Sequence, residues 1–396
     1  MSLRTLRTAL GVATAVAAVT AVAVPAAMAD SAAKPAPAKA HQPAAPALKL
    51  RLFASAPAGY KNPDDLTRLG DVLYAAFQNN AAADGTPAGS KTDIVGFELR
   101  TGKVVRHWVL PGRVDGLTAD ARHHRLLVTV NEDLNSTFYT ITPTRTSAVV
   151  THFHYSPSPA QKGSDGVNGG TDALSVAADG TIYVAHSNPD VSLPGANNTA
   201  ATFTLTLQGT TAKLARVYGV NDTARIMNPV KGGPKTEKLG LTDPDSNRWV
   251  PGRDGGTLIQ DAQADSKLVF VSGLKDKRPS LSVLNLTNVG ATGKDAATPQ
   301  LDDIVPAGGV GVLFVVDQKA GKIYEADTRG FRPGTLFASQ PAPKAGDLPN
   351  VAALEVVDTR TGVATPVATG IKLVSPKGLL FLSRDSRDSR GDRNDG

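Results

Sequence analysis

The chain has 396 residues, no cysteine and a formal net charge of +6 at pH 7. Without cysteine it can form neither disulfides nor thiolate metal sites. Its lysines and arginines are scattered and are not interleaved with aromatic residues, which argues against a nucleic-acid partner.

The first 29 residues have the pattern of a secretory signal peptide. Arg4 and Arg7 precede an Ala/Val-rich stretch, and Ala27-Met28-Ala29 has the small residues of a cleavage site. We expect cleavage after Ala29 and a secreted, extracellular protein. No later segment approaches the ~20 apolar residues of a membrane span, so we expect no membrane anchor. Residues 30–47, rich in Ala, Pro and Lys, are predicted to be a linker.

Residues 48–383 are predicted to be an all-β domain, because short segments rich in Val, Ile, Leu and Thr alternate with Gly, Pro, Asn and Asp. Their repetition indicates a β-propeller. We predict six four-stranded blades, closed by an N-terminal strand at 48–55. The predicted blade strands are 72–78, 93–99 and 104–110; 125–131, 137–143 and 147–155; 180–186, 201–207 and 212–218; 267–273 and 281–287; and 312–318, 322–328 and 335–340.

The end of the chain supplies further strands at 353–358, 363–369 and 375–383, whose phase in the last blade the sequence leaves open. Residues 384–396 alternate charges and are predicted to be a disordered tail. Residues 221–256 are predicted to be an insertion between the third and fourth blades. We expect it to form a lid or rim, on which Trp249 could stack against a ligand.

Four segments repeat one motif, an aspartate two residues before Leu or Ile: PDDL at 63–66, VDGL at 114–117, TDAL at 171–174 and LDDI at 301–304. Inner propeller strands line a central channel, so Asp64, Asp115, Asp172 and Asp302 should converge there. Like charges repel unless a cation bridges them, which predicts a Ca²⁺ site. The alternative is that each aspartate caps a turn by accepting from nearby backbone amides. Lys377 is a further candidate channel residue if Leu379 belongs to an inner strand.

VDGLTADARHHRLLVTVNE at 114–132 and TDALSVAADGTIYVAHSN at 171–188 resemble the inner half-blade of the gluconolactonase and regucalcin family, and more loosely NHL and YVTN propellers. The resemblance implies a central Ca²⁺ that polarises a lactone or ester carbonyl. Asp115 matches the family motif best, and Ala173 replaces its glycine after Asp172. The chain lacks the family's glutamate at the start of the first blade and its Asn-Gly-Leu motif.

The strand after each inner strand runs back antiparallel, so its end lies on the face where the inner strand began. Polar residues at these ends therefore belong to the candidate site. Glu132 and His186 are the candidate general bases. The candidate ligand-rim residues at these ends are Asn79, Asn131, Asn188 and Asp317.

Within 221–256, Asp243, Asp245, Asn247 and Asp254 occupy positions one, three, five and twelve of an EF-hand-like loop, although Arg248 stands where glycine is usual. A proline-rich turn capped by its own carboxylates is the alternative.

Two functions remain open from the sequence. One is a monomeric, secreted propeller that hydrolyses a small lactone or ester with a channel Ca²⁺. The other is a non-catalytic scaffold that binds an extracellular ligand and uses its aspartates structurally.

Overall fold

The computed structural model describes residues 46–162, 167–189, 199–289, 298–341 and 352–384. The signal peptide, most of the linker and all of the charged tail except Arg384 lie outside these ranges and stay predictions. Regular structure in the described ranges consists of β-strands and two single-turn 3₁₀ helices, Ala121–His123 and Arg253–Gly255. No helix in this part of the chain is long and apolar enough to cross a membrane.

The first strands build antiparallel units, each named here by its inner strand. N-terminal strands β1 (Leu48–Lys49) and β2 (Arg51–Ser55) come first. The β3 unit contains β3 (Pro63–Leu69), β4 (Val72–Phe77), β5 (Lys91–Glu98) and β6 (Val104–Pro111). The β7 unit contains β7 (Val114–Asp120), β8 (Arg125–Val130), β9 (Thr137–Pro143) and β10 (Ala148–Ser156). These strands agree with the first two predicted blades.

A short hairpin, β11 (Gln161–Lys162) and β12 (Val167–Asn168), leads into the β13 unit. This unit contains β13 (Leu174–Val176), β14 (Ile182–Ala185), β15 (Ala200–Gln208) and β16 (Thr211–Gly219). Strand β10 pairs in parallel with β16, which joins the β7 and β13 units into one sheet of eight strands.

The next sheet corrects the predicted insertion at 221–256. It comprises β17 (Thr223–Ile226), β18 (Thr236–Lys238), β19 (Pro244–Val250), β20 (Thr257–Ala262), β21 (Lys267–Ser272) and β22 (Ser280–Asn285). Strands β17 and β18 extend its outer edge, whereas β19 is its inner strand. The segment is therefore part of the propeller, because 244–250 pairs with β20 along its length.

The strands of the last two units are interleaved along the chain. The chain continues through β23 (Thr287–Asn288), β24 (Asp303–Pro306), β25 (Gly311–Asp317), β26 (Lys322–Asp327), β27 (Leu336–Gln340), β28 (Ala353–Val357), β29 (Val363–Pro366), β30 (Ala368–Thr369) and β31 (Pro376–Ser383). The β24 unit has the order β24-β27-β28-β29-β23, and the β31 unit has the order β31-β25-β26-β2. The predicted fifth blade was therefore wrong, because its first two strands and its third belong to different sheets.

The inner strands close a ring, since β3, β7, β13, β19, β24 and β31 each contact the next and β31 contacts β3. This arrangement confirms the all-β propeller. Strand β2 pairs with β26, so the N-terminal strand completes the last unit, as predicted. The number of blades stays a prediction. Two units share one sheet, and the strands of two others are interleaved along the chain.

Apolar side chains fill the spaces between units. Phe77, Phe97 and Phe314 pack between the β3 and β31 units, and Tyr74 and Leu126 pack between the β3 and β7 units. The β3 unit is therefore buried on both faces, which stabilises it by about 25 cal/mol per Å² of apolar surface removed from water. This packing fixes the ring on which the channel residues sit.

Candidate functional site

In three of the inner strands, β3, β7 and β19, a bulge lies near the start of the strand, next to the residue that faces the channel. The pairing register shifts between Pro63 and Leu66, between Val114 and Leu117, and between Pro244 and Asn247. A bulge interrupts the alternation of side chains between the two faces of a strand. The first motif residues of the inner strands all line one cavity of about 370 Å³, namely Asp64, Asp115, Asp172, Asp245, Asp302 and Lys377. We call these six residues the channel ring.

The residue after each ring position contacts the neighbouring inner strand. The Asp65 carboxylate accepts from the Leu117 N–H at 2.8 Å, and that of Asp303 accepts from the Leu379 N–H at 2.7 Å. At Gly378 a Cβ would lie 2.4 Å from the Asp64 carbonyl oxygen, so no side chain fits there. The second motif position therefore holds the inner strands together, while the first faces the channel.

Two protein cations lie among the ring carboxylates. The Lys377 ammonium contacts the Asp302 carboxylate. The Arg113 Nε lies 2.9 Å from Asp115 Oδ1, and its Nη1 lies 3.2 Å from Glu132 Oε1. The protein itself thus supplies positive charge to the ring.

Amide side chains satisfy further carboxylate oxygens. Gln78 Nε2 donates to Asp64 Oδ2 at 2.7 Å and to Asp115 Oδ1 at 2.9 Å. Gln318 Nε2 donates to Asp64 Oδ1 at 2.9 Å. Both oxygens of Asp64 are therefore occupied, while the buried Oδ2 of Asp115 has no hydrogen-bond partner.

The cavity carries far more acidic than basic side chains. Its two basic residues are Arg113 and Lys377. Its nine acidic residues are Asp64, Asp65, Asp115, Glu132, Asp133, Asp172, Asp243, Asp245 and Asp302. An adjoining outer cavity of about 570 Å³ shares Asp133 and Asn188 with it. So many carboxylates cannot all be ionised at this density, which forces proton uptake or cation binding.

The pKa values of several carboxyl groups in the cavity are raised. Burial raises the pKa of Asp64 to about 7, although the Lys377 ammonium opposes the shift. Burial, followed by the charge of Glu132, raises the pKa of Asp243 to about 6. Asp172 and Asp245 share a side-chain hydrogen bond, and burial raises the pKa of both well above the usual range. The cavity therefore holds carboxyl groups that titrate near neutral pH.

Three of the four aspartates predicted to bind Ca²⁺ already contact donors or cations of the protein. Asp302 contacts the Lys377 ammonium, Asp115 pairs with Arg113, and both oxygens of Asp64 accept from glutamine amides. In the described ranges, no three His, Cys, Asp or Glu side chains are grouped so that they could hold a metal ion. A Ca²⁺ ion bound by Asp64 would have to displace donors that the protein already supplies.

The two candidate general bases differ in access to the cavity. Glu132 lines it and pairs with Arg113. His186 is fully buried, with Nδ1 2.8 Å from the Ala200 carbonyl oxygen and Nε2 3.0 Å from that of Pro159. Because both ring nitrogens face backbone carbonyls, His186 has no nitrogen free to take a proton from substrate.

Of the predicted rim residues, Asn188 lines the cavity and donates to Asp133 Oδ1 at 2.6 Å. The other four make local contacts. Asn79 donates to Asp93, Asn131 Oδ1 accepts from the Arg113 N–H, Asp317 accepts from the Val374 and Ser375 N–H groups, and Trp249 Nε1 donates to the Gly255 carbonyl.

The EF-hand-like reading of 243–254 is wrong, because residues 244–250 form an extended strand rather than a loop. Asp243 and Asp245 line the channel cavity, and Asn247 is buried against the Ala173 carbonyl at 3.1 Å. Asp254 lies exposed in a separate turn. Sequence reasoning missed Asp245 as a ring residue because Asn247 stands where the motif has Leu or Ile.

No family profile matches the chain, and no curated protein matches it. Among solved structures, it is similar to a periplasmic gluconolactonase from Pseudomonas aeruginosa, with 12% identity, a TM-score of 0.46 and coverage of 81% of this chain and 88% of that one. It is similar to virginiamycin B lyase from Staphylococcus aureus, with 10% identity, a TM-score of 0.46 and coverage of 85% and 94%.

A putative 6-phosphogluconolactonase from Bacteroides uniformis gives 13% identity, a TM-score of 0.44 and coverage of 83% and 90%. Likeness at these levels says nothing about activity. The chemistry of this chain must therefore be argued from its own channel residues.

Proposed function

We propose that the channel cavity is the active site of a hydrolase acting on a small ester or lactone by acid–base chemistry. One observation carries the proposal: a single cavity contains the Lys377 ammonium together with carboxyl groups whose pKa values are about 6 for Asp243 and about 7 for Asp64. Groups that titrate near neutral pH in a cavity are the expected signature of proton transfer. The predicted signal peptide would place this activity outside the cell.

In the proposed reaction, the Asp243 carboxylate accepts a proton from water as the water oxygen bonds to the acyl carbon. The Lys377 ammonium donates a hydrogen bond to the carbonyl oxygen, on which negative charge develops. The carbon–oxygen bond to the leaving group then breaks, and the proton held by Asp243 passes to the departing alkoxide. One water is added and Asp243 is regenerated as a carboxylate.

The remaining charged residues assist in this proposal without entering the bond changes. Arg113 is held between Asp115 and Glu132, so Glu132 positions a second cation at the cavity wall. The product gains a carboxylate, which the excess of acidic side chains would repel and help to release. The proposed steps require no Ca²⁺ on the ring aspartates.

The second candidate is a non-catalytic protein that binds a small cationic extracellular ligand. The specific observation in its favour is the ratio of nine acidic to two basic residues around the cavity. Such an excess attracts amines and metal ions whether or not chemistry follows.

A hydrolysis assay on a panel of lactones and aryl esters distinguishes the two candidates. We expect turnover by the wild type that rises with pH through about 6 and falls at least tenfold in Asp243→Asn, because the amide cannot accept the proton. Asp276→Asn, at an exposed aspartate, is the matched control. Absence of turnover across the panel, together with saturable binding of a diamine probe, would favour the binding protein.

A further inference from the structure

Lys377 occupies the one channel-ring position that is not an aspartate. It begins the Lys377-Gly378-Leu379 segment of β31, which corresponds to Asp115-Gly116-Leu117 of β7. Because the two segments place their first residue at the same point of the channel, Lys377 faces the carboxylates from within the ring. Its side chain is only 20% exposed.

The neighbours of Lys377 are carboxylates from different inner strands. Its ammonium contacts Asp302. Burial lowers the pKa of Lys377, but the charges of Asp302, Asp64 and Asp245 outweigh burial and raise it above the usual value. The group therefore stays charged at neutral pH, which makes it a counter-ion rather than an amine nucleophile.

We propose that Lys377 is the resident cation of the channel ring and that its ammonium makes the folded protein independent of a bound metal ion. The proposal stands whether or not the cavity is catalytic. It inverts the expectation from the repeated aspartates, in which an external Ca²⁺ would relieve their repulsion.

Loss of the Lys377 ammonium should make the channel ring a binding site for a divalent cation. Lys377→Gln would remove one positive charge, and within the described residues the Asp302 carboxylate would keep the 3.3 Å contact from Gln263 Nε2. The five ring aspartates would then have Arg113, which pairs with Asp115, as their remaining protein cation. A hard divalent ion with oxygen ligands would be the natural replacement for the lost ammonium.

Thermal melts of the full chain, in EDTA and with added CaCl₂, test the proposal. For the wild type we expect the same midpoint in both solutions. For Lys377→Gln we expect a lower midpoint in EDTA and a saturable rise with Ca²⁺, reaching about 4 °C at a hundred times the dissociation constant. Lys377→Arg keeps the charge and should not respond to Ca²⁺.

The double variant Asp302→Asn/Lys377→Gln removes the opposing charges together and should melt closer to the wild type in EDTA than Lys377→Gln alone. If Lys377→Gln folds only when purified with Ca²⁺, that result also supports the proposal. A saturable rise of the wild-type midpoint with Ca²⁺ would overturn it, as would a Lys377→Gln protein with unchanged midpoint and no Ca²⁺ response. Because the readout is stability, failure here is distinct from failure to find a substrate.

Discussion

Replacing Asp303 with asparagine should strongly destabilise the ring, because its carboxylate joins three inner strands. Oδ2 accepts from Arg248 Nη2 at 2.6 Å and from the Leu379 N–H at 2.7 Å. Oδ1 accepts from Ser246 Oγ at 2.8 Å. An asparagine that keeps its oxygen toward Ser246 would turn its NH₂ group toward two donors and leave the Arg248 charge unpaired.

Removing one partner of a buried ion pair costs 3–5 kcal/mol in typical cases. The asparagine retains the bond to Ser246, so we expect a loss of about 3 kcal/mol. The unfolding entropy of a domain of roughly 340 residues is about 0.7 kcal/mol per kelvin. The midpoint of a thermal melt followed by circular dichroism should therefore fall by about 4 °C.

The matched control is Asp327→Asn, which removes an exposed carboxylate that pairs with Arg329 at 3.0 Å and Arg384 at 2.8 Å. Each exposed ion pair contributes about 0–1 kcal/mol and the median is well below the upper value, so this variant should melt within about 1 to 3 °C of the wild type. Equal midpoints for the Asp303 and Asp327 variants would refute the role assigned to the second motif position.

Two further predictions concern acidity and close packing. Burial raises the pKa of Asp64 to about 7 and of Asp243 to about 6, so the folded state keeps protons that the unfolded state has released. Stability should therefore fall as pH rises from about 4 to about 7, and Asp243→Asn should flatten this slope between about pH 4 and pH 6; an unchanged slope in that variant would contradict the shift. Gly378→Ala should destabilise by about 1–3 kcal/mol in a denaturant titration, because its Cβ would lie 2.4 Å from the Asp64 carbonyl oxygen, whereas the control Gly308→Ala meets its nearest atom at 3.7 Å. Equal midpoints for the two alanine variants would show that the inner strands can separate freely.

The sequence predicts the propeller and the motif aspartates because both depend on local patterns. Short strands between turn residues identify the all-β fold, and the repeated Asp-x-Leu motif locates Asp64, Asp115, Asp172 and Asp302 on the channel wall. The motif does not identify Asp245, because Asn247 stands where the motif has Leu or Ile. Asn247 is nevertheless buried, and it donates to a backbone carbonyl of the neighbouring unit.

The interleaving of strands between the β24 and β31 units could not be predicted, because strand propensity does not specify which distant strands pair. For the same reason, the sequence does not show which side chains pair with the channel aspartates. Whether Asp302 meets a metal ion or Lys377 depends on the position of β31, 75 residues along the chain. The charge balance of the cavity therefore required the three-dimensional arrangement.

The most direct test of the central claim is the pH–rate profile of lactone and ester hydrolysis for wild type and Asp243→Asn, measured side by side in EDTA. We predict wild-type turnover that persists in EDTA and increases through an apparent pKa of about 6, with at least a tenfold loss in the variant. Equal rates for the two proteins, or wild-type turnover abolished by EDTA and restored by Ca²⁺, would contradict the account.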